Sequence, residues 1–513
     1  MRIPVPDDIP PVDRLGRVHF IGIGGAALSA IARLMTQQGV EVSGSDAVDS
    51  PVLGALRSEG ITCFVGHAAE QLHGVDTVIA STAVREDNPE IVEAQRLGLR
   101  LWPRSAGLRS VMDGRRTVAV AGTHGKTTTT AMLTCALVAA GADPSFAIGA
   151  EVAGLGTNAR IGGGDLLVAE ADESDGAFLV YEPEGAVVTN VDADHLDIWG
   201  TEEAYAQAFH DFVGTVGRFV VLCVDDAGAR ALVDVARDQG LEVVTTGVAE
   251  DAEIRATDLV VEAGRTTFSV LRGDTPLVDV TLAVPGAHYA QDALLALATG
   301  VVLGHDAQAL AEGLTTYAGA NRRMEHLGDA AGVRVYDSYA HHPTEIRADL
   351  AAARALADRG RLVVAYQPHL VSRTRLFGAA MGRELSAADR VVVADLYLAR
   401  EDPDPAVTAQ LVVDAVDGPV ATPGGPVGSL AELLVPELKP GDLLLTLGAG
   451  DITTVGPQVL ALLEARATWA SSDSPSAVGP CSGDGCVACC SLCSGWVSWR
   501  VSCGSSGSRV PWR

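Results

Sequence analysis

The sequence is poor in positive charge and almost free of lysine. Its 513 residues carry 37 Lys and Arg against 65 Asp and Glu, a formal net charge of −28 at pH 7. Lysine occurs only at Lys126 and Lys439, so nearly every basic side chain is arginine. A charge of this sign argues against nucleic acid or an anionic membrane surface as a partner, although a nucleotide can still bind where backbone amides and a few basic residues converge.

Long apolar runs and an amino-terminal signal segment are also missing. The opening residues, MRIPVPDDIPPVDR, are polar and proline-rich. No apolar stretch reaches the roughly 20 residues that a membrane-spanning helix requires. With 48% hydrophobic and 20% charged residues, the composition is that of a globular protein with about three or four domains. We therefore expect a cytoplasmic, multidomain protein without a membrane partner.

Cysteine is scarce through most of the chain and crowded at its end. The cysteines before residue 467 are Cys63, Cys135 and Cys223. This part of the chain is predicted to be reduced and free of disulfides. From about Ala467 the composition changes to Ser, Gly, Cys and Trp without helical or strand periodicity, which predicts a disordered tail over residues 467–513. The spacing of Cys486 and Cys489 also suits a zinc knuckle, the weaker alternative.

Residues 117–132, TVAVAGTHGKTTTTAM, have the pattern of a phosphate-binding loop. A β-branched strand leads into a glycine-rich turn and then into a helix. Val120 stands where the general nucleotide loop has its first glycine, so the fit is to a shorter form of the motif. Backbone N–H groups would face the phosphates, Lys126 would supply a point charge and the Thr127 hydroxyl would reach Mg²⁺. The predicted ATP-binding residues here are Gly122, Thr123, His124, Gly125, Lys126, Thr127 and Thr128.

A second nucleotide signature lies near the start of the chain. In RVHFIGIGGAALSAIARLMTQQGVEVSGSD, glycines join a strand to a helix and an aspartate ends the next strand, which matches the dinucleotide-binding fingerprint. The residues concerned are Gly22, Gly24, Gly25 and Asp46. Taken alone, the pattern would suggest an NAD-dependent oxidoreductase, but the same geometry serves any pyrophosphate joined to a ribose, including a UDP-sugar.

Carboxylates follow two apolar strands downstream of the phosphate loop. The first strand ends in EADESDGAFL and the second in TNVDADHLD. The polar residues at these ends are Glu170, Asp172, Glu173 and Asp175, then Asn190, Asp192, Asp194 and His195. Carboxylates placed here can approach a nucleotide-bound Mg²⁺, and a neutral imidazole can serve as a metal ligand. Solvated acidic turns are the alternative interpretation.

The chain resembles the Mur ligase family from about residue 15 to about residue 465. Nine motifs carry the resemblance, in family order: GIGGAALSAIA, AGTHGKTTTTAM, EADESDGAFL, TNVDADHLD, PGAHYAQDALLALA, NRRMEHLG, DSYAHHPTEI, YQPHLVSRTRLF and LGAGDIT. The resemblance implies an α/β protein with an N-terminal Rossmann-like domain (1–113) for a UDP-sugar, a central phosphate-loop ATPase with a mostly parallel sheet (114–322) and a C-terminal Rossmann-like domain (323–466).

The resemblance also implies an activity, namely ATP-dependent ligation of L-alanine to the lactyl carboxylate of UDP-N-acetylmuramate in peptidoglycan precursor synthesis. The carboxylate would attack the γ-phosphate of ATP, and the alanine amine would then displace phosphate from the acyl phosphate. ATP with Mg²⁺ or Mn²⁺ is expected, as is a monomer or weak homodimer.

Site residues follow from the same resemblance. Those implied to act in catalysis are Lys126, His195 and Arg373. The implied metal ligands are Thr127, Glu170 and His195. Those around L-alanine are Tyr339, His341 and Arg373, with Arg373 pairing the carboxylate in a fork that lysine could not copy. Either Arg322 or Arg323 would reach phosphate, and Asp292 occupies a position associated with the adenine.

Three positions depart from the family pattern. Asp292 stands where asparagine is usual and cannot donate amide hydrogen bonds. Ser338 stands where a second aspartate usually follows Asp337, and Leu370 stands where arginine is usual. Asp292 and Ser338 keep open a catalytically inactive binding protein. A related ligase that attaches a ready-made tripeptide to the same UDP-sugar also stays open, because it shares most of these motifs. An oxidoreductase would leave the Lys126 loop unexplained.

Overall fold

The structure is a computed structural model that describes residues 3–262, 264–399, 401–418 and 420–472. Most of the segment 467–513, which the sequence predicts to be a disordered tail, lies outside these residues. Cys486 and Cys489, the pair with zinc-knuckle spacing, lie outside them as well. Three sheets lie in one compact unit, Met1–Ala467.

The first sheet has five parallel strands in the order β3-β2-β1-β4-β5. Its strands are β1 (Val18–Ile21), β2 (Val42–Asp46), β3 (Thr62–Val65), β4 (Thr77–Ala80) and β5 (Arg100–Pro103). The helices are α1 (Ala26–Gln37), α2 (Pro51–Ser58), α3 (Pro89–Leu97) and α4 (Arg104–Met112). Strands β1 and β4 are buried at every position, because apolar clusters cover both faces of the sheet.

The second sheet has ten strands in the order β15-β14-β13-β12-β11-β10-β6-β9-β7-β8. Its strands are β6 (Arg116–Ala121), β7 (Ser145–Val152), β8 (Thr157–Arg160), β9 (Leu166–Glu170), β10 (Gly185–Val188), β11 (Phe219–Cys223), β12 (Glu242–Gly247), β13 (Ile254–Glu262), β14 (Arg265–Arg272) and β15 (Thr275–Leu282). The helices are α5 (Lys126–Ala139), α6 (Leu196–Trp199), α7 (Glu202–Val213), α8 (Ala227–Asp238), α9 (Ala287–Val302) and α10 (Ala307–Leu314). Pairing is parallel from β13 to β7 and antiparallel at both edges.

The third sheet has six strands in the order β16-β17-β21-β18-β19-β20, and all of its pairs except β16 with β17 are parallel. Its strands are β16 (Glu325–Ala330), β17 (Val333–Ser338), β18 (Leu362–Tyr366), β19 (Arg390–Ala394), β20 (Val420–Gly425) and β21 (Leu443–Leu447). The helices are α11 (Pro343–Ala357), α12 (Val371–Leu385), α13 (Gln410–Val413), α14 (Val427–Leu434) and α15 (Val455–Ser472).

These sheets confirm the prediction of three α/β domains with mostly parallel strands. The boundaries after residues 113 and 322 stay predictions. Among the described residues, no helix combines the length and apolar character needed to cross a membrane.

The order of the middle sheet positions the candidate site. Strands β10, β6 and β9 are adjacent and parallel, so their carboxyl ends meet at one edge. The loop before α5, the acidic segment after β9 and the segment after β10 therefore converge there. Arg104 of α4 contacts the same acidic segment, with ion pairs of 2.7 Å to Asp172 and 2.9 Å to Asp175. This contact joins the first domain to the edge at which the site forms.

Candidate active site

The loop between β6 and α5 has a backbone that requires glycine at two positions. Gly122 has φ +137° and Gly125 has φ +79°, values that L side chains rarely adopt. A Cβ at Gly122 would collide with the Thr189 hydroxyl, and one at Gly125 would lie 2.5 Å from Asp292 Oδ1. Helix α5 then begins at Lys126 without a side-chain cap. Its first N–H groups therefore suit an anion, as a phosphate loop requires.

Lys126 is folded back over this loop. Its ammonium donates to the carbonyls of Gly122 (2.7 Å) and Thr123 (2.9 Å) and pairs with Glu173 Oε2 at 2.8 Å. Burial by itself lowers the pKa of Lys126, but the charges of Glu173 and Asp172 outweigh it and raise that pKa. The side chain is therefore a fixed positive charge at the mouth of the loop.

Two of the three predicted metal ligands lie together. Thr127 Oγ1 donates to Glu170 Oε1 at 3.0 Å, and Glu170 Oε2 accepts from Gly149 N at 2.6 Å. These oxygens are the ligand type that Mg²⁺ prefers. His195 is placed differently: its Nε2 lies 3.8 Å from Glu173 and 3.6 Å from Asp194, and it forms no ion pair with Glu170 in the described structure.

His124 connects the loop to the third domain. Its Nε2 lies 3.3 Å from Asp192 Oδ2, and its Nδ1 lies 3.2 Å from Glu345 Oε1 on α11. Burial lowers the pKa of His124, but the hydrogen bonds to Asp192 and Glu345 outweigh it and raise the pKa to about 9. Thr344 adds a second link, since its hydroxyl donates to Asp192 Oδ2 at 2.6 Å.

A buried ion pair joins the same two domains. Arg373 of α12 holds Asp194 through three contacts, Nε to Oδ1 at 3.1 Å and Nη2 to both carboxylate oxygens at 3.0 Å. Both side chains are almost fully buried. Burial raises the pKa of Asp194, but the Arg373 charge outweighs it and holds that pKa well below its usual value. The fork predicted for a substrate carboxylate is therefore occupied by a protein carboxylate.

The predicted amino-acid residues lie beside this pair. The rings of Tyr339 and His341 meet edge to face at 5.2 Å. His369, which sequence reasoning missed, bridges to Arg373: its ring centroid is 6.0 Å from that of His341, and its Nδ1 is 3.1 Å from Arg373 Nη1. His369 precedes α12, which begins at Val371 after a left-handed backbone at Leu370, so no helical spacing in the sequence could have indicated its contact with Arg373.

Arg322 and Arg323, the two arginines at the domain junction, differ in the charged and polar groups that surround each side chain. Arg322, at φ +58°, donates to Asp337 (3.2 Å) and to the Gly448 carbonyl (2.5 Å) inside the third domain. Burial lowers the pKa of Arg323, but the charges of Glu345 and Glu170 outweigh it and raise that pKa. The charges that act on Arg323 thus include that of Glu170, the partner of Thr127 in the phosphate loop.

Each departure from the family pattern has a local partner. Asp292 is buried and accepts from Thr129 Oγ1 at 3.1 Å, and burial raises its pKa to about 7. Ser338 donates to Asp349, so a carboxylate from α11 stands beside the end of β17. Leu370 is buried at φ +67°, and its backbone N donates to the Tyr397 carbonyl at 2.9 Å.

The dinucleotide-type turn of the first domain brings all four of its predicted residues together. Gly22 has φ +86° and Gly25 precedes α1. The backbone N of Gly24 donates to Asp46 Oδ2 at 2.9 Å, and a Cβ at Gly24 would lie 2.8 Å from the same oxygen. This turn can hold a phosphate at the start of α1.

Sequence comparisons match each domain to a known family. The Mur ligase family catalytic domain matches residues 17–116, the Mur ligase middle domain residues 120–300, and the Mur ligase glutamate ligase domain residues 322–450. A UDP-N-acetylmuramate–L-alanine ligase of Nocardioides sp. is 59% identical over 468 residues, covering 90% of this chain and all of the relative. One of Thermobifida fusca is 48% identical over 471 residues, with 90% and 100% coverage.

A solved structure gives the same result. The crystal structure of a UDP-N-acetylmuramate–alanine ligase from Thermotoga maritima superposes with a TM-score of 0.75 at 28% identity, covering 89% of this chain and all of that one. The three matched domains, the extent of the similar sequences and the shared fold agree with the geometry of the phosphate loop and its partners. The chain belongs to the Mur ligase family.

Proposed function

We propose that the protein joins L-alanine to the lactyl carboxylate of UDP-N-acetylmuramate at the expense of ATP, through an acyl phosphate. The observation that carries this proposal is the domain junction at which His124 of the phosphate loop contacts Glu345 and Asp194 contacts Arg373. His341 also contacts Glu345 there, and Tyr339 lies against His341. The substrates named for the similar ligases of Nocardioides sp. and Thermobifida fusca support this choice.

The proposed reaction has two steps. A carboxylate oxygen of the sugar attacks the γ-phosphorus of ATP and ADP leaves; the alanine nitrogen then attacks the acyl carbon and phosphate leaves. Negative charge on the transferring group needs cations that are fixed before the reaction begins. Lys126 fits this role because it is paired with the buried carboxylate of Glu173, and Arg323 fits it because the charges of Glu345 and Glu170 act on its guanidinium.

We further propose that Thr127 and Glu170 hold Mg²⁺. Their oxygens lie 3.0 Å apart, and a hydroxyl with a carboxylate is a suitable donor set for this ion. The bound ion would neutralise charge on the phosphates. His195 lies near Glu173 and Asp194 instead, and we keep it as a proposed ligand from the neighbouring strand end.

The acceptor site is proposed around Arg373. An α-carboxylate of the amino acid would take the place of the Asp194 carboxylate in the guanidinium fork. His341 faces this point as a neutral imidazole at physiological pH, since burial and the Arg373 charge lower its pKa to about 4. Tyr339 stacks beneath both Arg322 and Arg323, with guanidinium carbons 5.0 and 5.3 Å from its ring centre, and closes the other side.

The remaining proposals concern the UDP-sugar and the setting of the enzyme. Gly22, Gly24, Gly25 and Asp46 would bind the UDP moiety at the start of α1. A reducing cytoplasm is supported by the free state of Cys63, Cys135 and Cys223, and burial raises the pKa of Cys135 to about 11 and that of Cys223 to about 12. We propose a monomer or weak homodimer that binds neither nucleic acid nor membrane.

Phosphate release from ATP tests the proposed activity. The full-length protein is incubated with ATP, Mg²⁺, UDP-N-acetylmuramate and, in turn, L-alanine, glycine, L-serine or the ready-made tripeptide. We expect phosphate only when sugar and amine are both present, and fastest with L-alanine. Equal or faster turnover with the tripeptide would assign the protein to the recycling ligases, and reduction of NAD by a UDP-sugar would overturn the ligase proposal.

A further inference from the structure

Three side chains at the junction of the phosphate loop and α11 form a group that the proposed reaction does not use. They are His124 and Asp192 of the middle domain and His342 of the third domain, here called the interdomain histidine cluster. One ligand atom from each lies within 4.8 Å of the other two. The two histidine rings are 4.8 Å apart, centre to centre, and tilted by 33°.

We propose that the interdomain histidine cluster is a binding site for a transition-metal dication of the Zn²⁺ type. Asp192 Oδ2 is the shared centre, 3.3 Å from His124 Nε2 and 3.6 Å from His342 Nδ1. Tetrahedral zinc, with bonds of about 2.0–2.2 Å to nitrogen and oxygen, places its ligand atoms about 3.3–3.6 Å apart. Two of the three spacings already meet this requirement.

The surroundings of His124 match those of a metal-bound imidazole. Histidine ligands commonly donate their second ring N–H to a carboxylate, which fixes the tautomer and the ring orientation. Glu345 Oε1 lies 3.2 Å from His124 Nδ1, an ion-pair distance without hydrogen-bond geometry, and the opposite nitrogen, Nε2, faces the cluster. Asn190 holds the backbone of the same residue from both sides, since its amide accepts from His124 N at 2.9 Å and donates to His124 O at 3.1 Å.

His342 is held mainly by burial, and its ring nitrogens are available to a metal ion. It is buried at the N-terminus of α11, where its Nδ1 accepts a long hydrogen bond of 3.4 Å from Thr344 N. A metal bond would replace this weak contact, and the other nitrogen, Nε2, has no hydrogen-bond partner. The Asp192 side chain is 37% exposed, which gives an ion a path from solvent and leaves a fourth position for water.

The donor set selects the metal. Two imidazoles with one carboxylate suit Zn²⁺ or Co²⁺, whereas Mg²⁺ prefers oxygen ligands and is expected at Thr127 and Glu170. A bound dication would replace the proton between His124 and Asp192. It would also tie the phosphate loop to α11, so that one ion spans two domains.

Metal counting on the full-length protein tests the proposal. Equilibrium dialysis against Zn²⁺ is compared for the wild type, His342→Asn and Asp192→Asn, with His326→Asn as the matched control because His326 forms an exposed pair with Asp329 at 2.8 Å. We expect wild type and H326N to bind one more equivalent than H342N and D192N. The tail cysteines are the same in all four proteins and cancel in the difference.

Two further measurements keep the result decisive. Substitution Glu345→Gln should weaken Zn²⁺ binding about 10- to 100-fold without changing the stoichiometry, because it removes the orienting carboxylate while the glutamine carbonyl can still accept from His341 N and His342 N at the start of α11. Co²⁺ bound to the wild type should give a ligand-field spectrum that is absent from H342N. The difference between the two spectra should show no thiolate charge-transfer band. Equal metal counts in wild type and in folded H342N or D192N would overturn the proposal, as would a site-specific spectrum that survives both substitutions. These counts require no turnover, so they stand apart from the proposed ligase activity.

Discussion

Replacement of Asp292 by asparagine should stabilise the protein, and more so at higher pH. The Asp292 side chain is 7% exposed and lies against Gly125 and Thr129. Burial raises its pKa from 3.8 to about 7, although Thr129, Arg323 and His124 act in the opposite direction. The unfolded chain releases this proton near pH 3.8 and the folded chain near pH 7. Stability is therefore lost as the pH rises between these two values.

The magnitude follows from the size of that shift. A difference of about three pKa units corresponds to about 4 kcal/mol of destabilisation above pH 7, at 1.36 kcal/mol per unit. Between about pH 5.5 and about pH 8, the cost of the wild-type carboxylate grows by about 2 kcal/mol. Asparagine keeps the shape without the charge and is free of this penalty.

Denaturant unfolding at the two pH values measures the effect. The free energy of unfolding of Asp292→Asn, relative to wild type, should increase by about 2 kcal/mol between about pH 5.5 and about pH 8. The control is Asp251→Asn, because Asp251 forms an exposed ion pair with Arg230; its free energy of unfolding should stay within about 0.5 kcal/mol of wild type at both pH values. A D292N advantage that is absent, or that is the same at both pH values, would refute the reasoning.

The other predictions concern single residues and the tail. Lys126→Ala should lower kcat in the phosphate-release assay by about 10²- to 10³-fold, because a fixed charge that stabilises the transition state is lost. The control, Lys439→Ala, should stay near wild type. An amine-reactive ATP analogue should label Lys126, and ATP should protect against this labelling; label confined to Lys439 would contradict the assignment. Arg373→Lys should raise the KM for L-alanine about tenfold or more while the KM for ATP changes little, because lysine cannot form the two-point contact. Arg375→Lys is the control, since Arg375 is exposed and paired with Asp404. Equal effects of the two substitutions would count against a role for the Arg373 guanidinium. Truncation after Ser472, where α15 ends, should leave activity and melting temperature nearly unchanged and reduce intermolecular disulfides under oxidising conditions; loss of either activity or fold would show that the tail is needed.

Local sequence patterns were sufficient to predict the two glycine-rich turns and the buried strands that precede them. The glycines at 22, 24, 122 and 125 sit at turns whose backbone or neighbours exclude a side chain, and the apolar strand before each turn is buried. The same local reasoning placed Thr127 at the start of the helix that follows β6 and Glu170 at the end of a strand, and the two side chains meet. These features depend on a few consecutive residues and on the rule that parallel strands end at one edge.

Contacts between domains could not be obtained in this way. The Arg373–Asp194 pair joins residues 179 positions apart, and each partner alone resembles an ordinary surface charge. Arg322 and Arg323 are adjacent, chemically identical and share Tyr339, yet Arg322 donates to Asp337 and Gly448, whereas the charges of Glu345 and Glu170 act on Arg323. Likewise, nothing local indicates that Ser338 meets the carboxylate of Asp349 eleven positions later. Such outcomes are decided by tertiary packing.

The Arg373–Asp194 pair has a consequence for discrimination between amino acids. The guanidinium has already left water and already holds a carboxylate, so an incoming amino acid would exchange its own carboxylate for that of Asp194, whose buried charge then needs another partner. Every α-amino acid brings the same group to this exchange, and the fork cannot distinguish among them. Preference for a small side chain would then arise from steric fit beside Tyr339, His341 and His369, where one additional methylene is worth about 1–3 kcal/mol.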